Sequence, residues 1–228
     1  MPPDFELIDV CHTIHDGMIT YKGLPAPIIT DYLTREASRE RYAPGTEFHI
    51  GKIEMVANTG TYLDSPFHRY PDGSDLSQLD LYSLANLDGL VLRFLDWPER
   101  GISAKDLQGL DVRAKAVLFH TGWDQHWRSE EYANGRHPFL TEDAAHFLVQ
   151  AGARLVGIDS FNIDGTADGN RPAHSILLAK QIPIVEHLCG LGELPDRGFR
   201  FFAVPAKVRG FGTFPVRAFG LVPKQAGD

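Results

Sequence analysis

The 228 residues, 43% hydrophobic and 23% charged, sit near globular averages, which excludes a disordered or fibrous chain and allows a sizeable core. A formal net charge of −8, from 30 acidic and 22 basic residues spread along the chain, argues against a nucleic-acid partner. Cys11 and Cys189 form no CxxC pair, the first residues lack a basic start and an apolar core, and no stretch reaches the ~18 apolar residues of a membrane span, so the expectation is a soluble, cytoplasmic protein without membrane contact.

No Ser/Gly-rich or charge-block linker interrupts the chain, and one domain over residues 1–228 is expected. Near the start, His12 and His15 precede Asp16-Gly17-Met18, Tyr21 and Pro25, a turn-rich segment that suits a pocket lid or an ordinary surface loop. A strand is predicted over Phe48 to Ala57, where Ile53, Met55 and Ala57 alternate with Glu54 and Val56, so at least one face is expected to be buried. It leads into Asn58-Thr59-Gly60-Thr61-Tyr62-Leu63-Asp64-Ser65-Pro66-Phe67-His68, where Gly60 and Pro66 bend the backbone. Further strands are predicted at Gly89 to Asp96, Lys115 to His120, Arg154 to Asp159, Ile182 to Glu186, Phe199 to Val204 and Phe214 to Val222.

Ser103 caps a brief predicted helix through Leu107. The clearest helix runs from Thr141 to Gly152. Thr141 is its N-cap, Glu142 and Asp143 suit the positive end of the dipole, Ala144, Phe147, Leu148 and Ala151 form the buried stripe, and Gly152 ends it. Another follows Pro172 through His174 to Lys180. Alternating strands and helices in the second half favour an α/β sheet with covered faces, and the strand-rich first half suggests antiparallel additions.

Asp64 and His68 are four residues apart, a spacing that fits convergence on one metal ion or one substrate proton; it fits equally an Asp capping a turn and a His bonded to a carbonyl. Glu186 closes the apolar run Ile182-Pro183-Ile184-Val185, where ligands of open α/β sheets gather, and His174 lies on the helix before it. Imidazole and carboxylate together are a usual ligand set for zinc or manganese, and hydrolysis of an amide, imide or lactone is the matching reaction class. A solvent-facing His174 and a salt-bridged Glu186 are the plainer alternatives. Asp159 and Asp164 also follow an apolar strand, and one of them is expected to reach a metal through a histidine. The other histidines form no HxH or HExxH spacing, the tryptophans suit core or interface packing, and Ser65 and Ser160 lack a GxSxG elbow.

NTGTYLDSPFH resembles the HxGTHxDxPxH signature of the cyclase family, the kynurenine formamidase-like metal-dependent hydrolases. The segments His12 to Pro25, HPFLTEDAAHFL, VGIDSFNID and GTFPVRAF also look like blocks of that family, so the resemblance covers most of the chain. It implies a swivelling β/β/α fold, homodimers or homotetramers, and a divalent metal site hydrolysing N-formylkynurenine, isatin-like rings or related amides, as in tryptophan catabolism. Asn58 and Tyr62 stand where the signature has its first two histidines, while Gly60, Thr61, Asp64, Pro66 and His68 are kept. One metal position is therefore expected to be weak or empty, because an amide or phenol is a poorer zinc ligand than imidazole.

The resemblance places the second metal position on Asp64, His174 and Glu186, and makes His68 the proton-transfer residue. The leading expectation is an amidohydrolase with one zinc or manganese ion, whose bound water attacks a small cyclic or aryl amide. Asn58, Tyr62 and Tyr21 would contact the substrate. The alternatives are a metal-free acid–base cyclase, dehydratase or isomerase using Asp64, His68 and Glu186, and a family member that binds a small metabolite without turning it over.

Overall fold

The computed structural model describes residues 4–224. Its strands are β1 (Phe5–Asp9), β2 (Ile28–Leu33), β3 (Ile50–Glu54), β4 (Tyr62–Asp64), β5 (Leu87–Arg93), β6 (Gly101–Ile102), β7 (Lys115–His120), β8 (Phe139–Leu140), β9 (Leu155–Ile158), β10 (Ile184–Glu186), β11 (Arg197–Phe202), β12 (Thr213–Pro215) and β13 (Phe219–Pro223). Nine of them form one mixed sheet in the order β1-β13-β11-β5-β7-β9-β10-β4-β12. Its centre, β5 to β10, is parallel, and both flanks are antiparallel. The predicted α/β class holds, with the antiparallel additions coming from both ends of the chain rather than from its first half.

The central strands are near-continuous apolar runs because both faces are covered. Val117, Leu118 and Phe119 of β7 and Val156 and Ile158 of β9 are fully buried. On one face pack α2 (Glu142–Ala151) and α3 (Pro172–Ala179), burying Ala144, Leu148, Leu177 and Leu178 against Val117, Phe119 and Ile158. The other face carries a second cluster that includes Leu63, Leu118, Val185 and Phe201.

Thr141 is the N-cap of α2 and Gly152 its left-handed C-cap at φ 80°, but the Thr141 hydroxyl does not cap the helix amides. It turns to Asp143 and to the Ile102 carbonyl instead. The Ser103 turn is a 3-10 helix, Ala104–Leu107, closed by a Ser103/Asp106 capping box. The predicted strand Phe214 to Val222 is two strands, β12 and β13, which pair at opposite ends of the large sheet.

The predicted Phe48 to Ala57 strand is shorter, ends at Glu54, and has no buried face. It pairs only with β2, in a two-stranded ribbon apart from the large sheet. Ile28, Tyr32, Ile50 and Ile53 of the ribbon are exposed. Alternation reports that a face could pack; it does not report that something lies against it.

Candidate active site

Strand register builds the site. In β4, Tyr62 and Asp64 point to one side and Leu63 to the other, as the period of two requires. Across the sheet Tyr62 is opposite Glu186, while Asp64 is opposite both Ile184 and Thr213. The Tyr62 hydroxyl donates to Glu186 Oε2 at 2.6 Å, and the Thr213 hydroxyl donates to Asp64 Oδ1. Behind β4, the Gly212 carbonyl accepts from Ser65 N at 2.7 Å, and a Cβ at Gly212 would lie 2.4 Å from the His68 backbone nitrogen. Only glycine permits that approach.

His68 follows on a short 3-10 turn, Pro66–His68. Its Nδ1 lies 2.8 Å from Thr213 Oγ1. The threonine hydrogen is committed to Asp64, so His68 Nδ1 carries a proton and donates it to Thr213. The basic lone pair of His68 is therefore on Nε2.

His174 enters on the first turn of α3. Asp164 accepts from Ala173 N at 2.6 Å and His174 N at 3.1 Å, satisfying amides that the helix leaves without partners, and also accepts a hydrogen bond from His174 Nδ1 at 2.6 Å. The His174 Nε2 atom is thereby directed at Asp64 Oδ2 and Glu186 Oε1, each 3.6 Å away. Of Asp159 and Asp164, one of which is expected from the sequence to reach a metal through a histidine, Asp164 is the one bonded to a histidine. Asp159 instead accepts from Thr121 and Gly122 amides and holds the turn after β7.

Asp64, His174 and Glu186 are buried. Burial opposes a charged imidazole, but Glu186, Asp164 and Asp64 outweigh it and push the His174 pKa up to about 10. Burial, with Asp64 adding to it, raises Glu186. Among the described residues no lysine or arginine pairs with these acids. Asp64 Oδ2 is buried without a hydrogen-bond partner. A surplus of carboxylates around one oriented imidazole, with an orphaned oxygen between them, is a donor set that fits a divalent cation.

Single ligand atoms of Asp64, His68 and His174 lie within 4.8 Å of one another, so His68 joins the compact triad. Glu186 stands beside His174 with both oxygens engaged, Oε1 by Ile163 N at 2.7 Å and Oε2 by Tyr62. The compact triad thus contains Asp64 and His174 of the predicted ligand set together with His68, predicted for proton transfer, and leaves Glu186, the third predicted ligand, beside it.

Tyr21, Asn58, Tyr62, His68, His174 and Glu186 all line one cleft of about 1130 Å³. The His12 to Pro25 segment does border it, through Tyr21 and Leu24. Tyr21 and Tyr62 are more than substrate-facing rings. The Tyr21 hydroxyl lies 2.8 Å from Tyr62 Oη, 3.0 Å from the Phe161 carbonyl and 3.1 Å from His187 Nε2, and His187 Nδ1 meets Tyr132 Oη at 2.8 Å. Burial first, and Glu186 second, hold both phenols well above their ordinary pKa. His12 stacks on Trp127 with ring centroids 3.8 Å apart, so that half-buried tryptophan packs against one of the protein's own rings. Sequence reasoning assigned no part to Thr213, His187 or Asn162. For Thr213 the one available signal was its place in GTFPVRAF.

Residues 8–165 match the model of the family Cyclase, described as "Putative cyclase". A kynurenine formamidase of Bacillus cereus is 28% identical over 215 residues, covering 93% of this chain and 96% of that protein. Another, of Bacillus anthracis, is 29% identical over 214 residues, covering 92% and 95%. A solved structure of a potential metal-dependent hydrolase with cyclase activity superposes with a TM-score of 0.77 at 26% identity, covering 97% of this chain and 99% of that one. Isatin hydrolase A of Labrenzia aggregata gives a TM-score of 0.82 at 18% identity over 97% and 95%, a likeness of fold.

Proposed function

The chain belongs to the cyclase family, whose model spans most of it, and from that premise we propose that it is a divalent-metal-dependent amidohydrolase acting on a small aryl or cyclic amide, as a kynurenine formamidase does. The observation that carries the reading is the buried, partnerless Asp64 Oδ2 beside the oriented His174. Asp64 and His174, with Glu186 or His68 as third ligand, would hold zinc or manganese, whose chemistry is to polarise a carbonyl and acidify water.

The protein's own groups supply the rest. His68 Nε2 takes the proton of the attacking water and returns it to the departing nitrogen. The threonine bridge to Asp64 fixes the ring orientation for both transfers. Asn58 offers an amide donor to the carbonyl oxygen as charge develops there, and Tyr62 and Tyr21 form the wall against which the ring lies. The test is formation of kynurenine from N-formylkynurenine, and ring opening of isatin, by protein of measured metal content. Fully loaded protein that hydrolyses neither these nor simple formanilides overturns the proposal.

The assembly we propose is a homodimer or homotetramer. An isolated two-stranded ribbon is marginal in water, and the exposed Ile28, Tyr32, Ile50 and Ile53 suit burial against a second copy. Light scattering that finds only monomer at micromolar concentration removes this. No described helix is long and apolar enough to cross a membrane. The two free cysteines fit a cytoplasmic location.

A further inference from the structure

The cleft also holds cationic side chains that the chemistry above does not use. Arg69, Arg100 and Arg171 line it, in a chain where acidic residues outnumber basic ones. Elsewhere Arg93, Arg154 and Arg200 each pair with an aspartate, whereas among the described residues the three cleft arginines hold no ion pair. Of the acids in the same lining, Glu186 belongs to the cluster at His174, Asp168 accepts from Asn170 N at 2.8 Å, and Glu142 is exposed, 3.9 Å from His146; none forms an ion pair with these arginines.

All three guanidiniums are held in place, Arg100 by the Gly135 carbonyl, which accepts from its Nη2, and by the Phe139 ring 5.6 Å beneath it. Arg171 precedes Pro172 at the start of α3, and its Nη1 donates to the carbonyls of Asp168 at 2.8 Å and Asn170 at 2.6 Å. Arg69 follows His68, donates from Nε to Ser175 Oγ at 3.2 Å, and lies 5.2 Å over the Tyr70 ring. Each guanidinium has five N–H donors, so pinning one edge leaves others for a ligand and reduces the entropy lost on binding. The two arginines bracket His174 along α3, and Phe139, Leu24 and Ile176 give the same cleft an apolar side.

We propose that Arg171 and Arg69 form an anion subsite that holds a carboxylate carried by the substrate, so that the preferred substrate is an anionic aryl or cyclic amide. This rests on the hydrolase reading for its chemistry but not for its binding. Planar guanidinium matches planar carboxylate, and with the acids around His174 assigned to a cation the arginines are the groups of this lining left for an anion.

The test uses the metal-loaded enzyme with formanilide and its ring-carboxylated counterparts, 2- and 3-formamidobenzoate. Wild type should favour one carboxylate by about tenfold in kcat/KM, mostly through KM, a scale suited to partly solvated charge pairs. Arg171→Gln and Arg69→Gln should each erase most of that preference, lowering kcat/KM for the carboxylate several-fold more than for formanilide, with Arg171→Lys intermediate. Because Arg171 also ties down its loop, the more exposed Arg69→Gln decides the matter if Arg171→Gln does not fold. Wild type without preference, or variants that keep it, overturn the proposal. If no amide is turned over, the hydrolase reading fails, and binding of 2- and 3-aminobenzoate against aniline, read as a melting shift, judges the subsite alone. Tighter aminobenzoate binding that is lost in the variants supports it, and binding equal in wild type and variants overturns it.

Discussion

Asp64 and Tyr62 lie two residues apart on one strand and point to the same side of the sheet, yet their surroundings differ in kind. Around Asp64 the polar atoms converge without completing one another: one carboxylate oxygen is buried and partnerless, and His174 Nε2 stands 3.6 Å from two acids. Around Tyr62 every hydroxyl is used. Tyr62 donates to Glu186, Tyr21 bonds Tyr62 and Phe161, and His187 ties Tyr21 to Tyr132. Buried polar groups must find partners, so the first half is built to receive a cation and the second to close upon itself. The difference turns on Tyr62, one of the two positions where the resembled signature has histidine. A phenol satisfies a neighbouring carboxylate where an imidazole could have ligated a metal.

The comparison breaks most severely at Asp64. Asp64→Ala should abolish metal content and lower turnover by at least about a thousandfold, the scale of losing metal assistance. Elemental analysis beside the assay checks both, and full activity would remove the cation from the mechanism. His68→Ala should cost roughly a hundredfold in kcat with metal retained, as loss of an acid–base group does. Metal lost from that variant would make His68 the third ligand in place of Glu186. Asp164→Asn leaves every ligand in place but removes the carboxylate that orients His174, and a roughly 10- to 100-fold weaker metal affinity is expected by titration. Unchanged affinity would mean that the helix alone aims the imidazole.

How much of this the sequence reveals depends on how local the cause is. The helices at Glu142–Ala151 and Pro172–Ala179 are legible because caps, proline and apolar spacing act within a few residues. Asp64, His68, His174 and Glu186 are legible as candidates because acids and imidazoles stand at a turn, on a helix and at a strand end. Their convergence is legible only through the resemblance and not from the residues themselves, since it depends on β4 pairing with β10 and β12, partners more than a hundred residues away. The same long-range pairing hides Thr213, an ordinary threonine until register sets it opposite Asp64. The exposed β3 ribbon fails for the converse reason, because its alternation is local and its lack of a packing partner within the chain is not.

The closed half should respond more mildly. Tyr62→Phe removes one donor to the buried Glu186 and one partner of Tyr21, for an expected loss of about 1–3 kcal/mol in urea unfolding. Metal content should stay as in wild type; metal lost to the degree of Asp64→Ala would show that the halves are one unit.

The smallest effect is expected behind the site, at His137. It is fully buried, and its Nε2 lies 2.9 Å from the Asp164 carbonyl, the residue that orients His174. Burial lowers its pKa to about 4 from an ordinary 6.5. Between those values the unfolded chain binds a proton that the folded one refuses, so the stabilisation is present above pH 6.5 and is lost as pH falls towards 4. His137→Gln can keep a donor near Asp164 while removing the titration, and its urea midpoint should fall less between pH 7 and pH 5 than that of wild type, as midpoints at about those two pH values would show. His12, also lowered to about 4 by burial, remains in the variant, so the slope should shrink and not vanish. An unaltered slope would place acid sensitivity elsewhere and free the back of the site from any part in it.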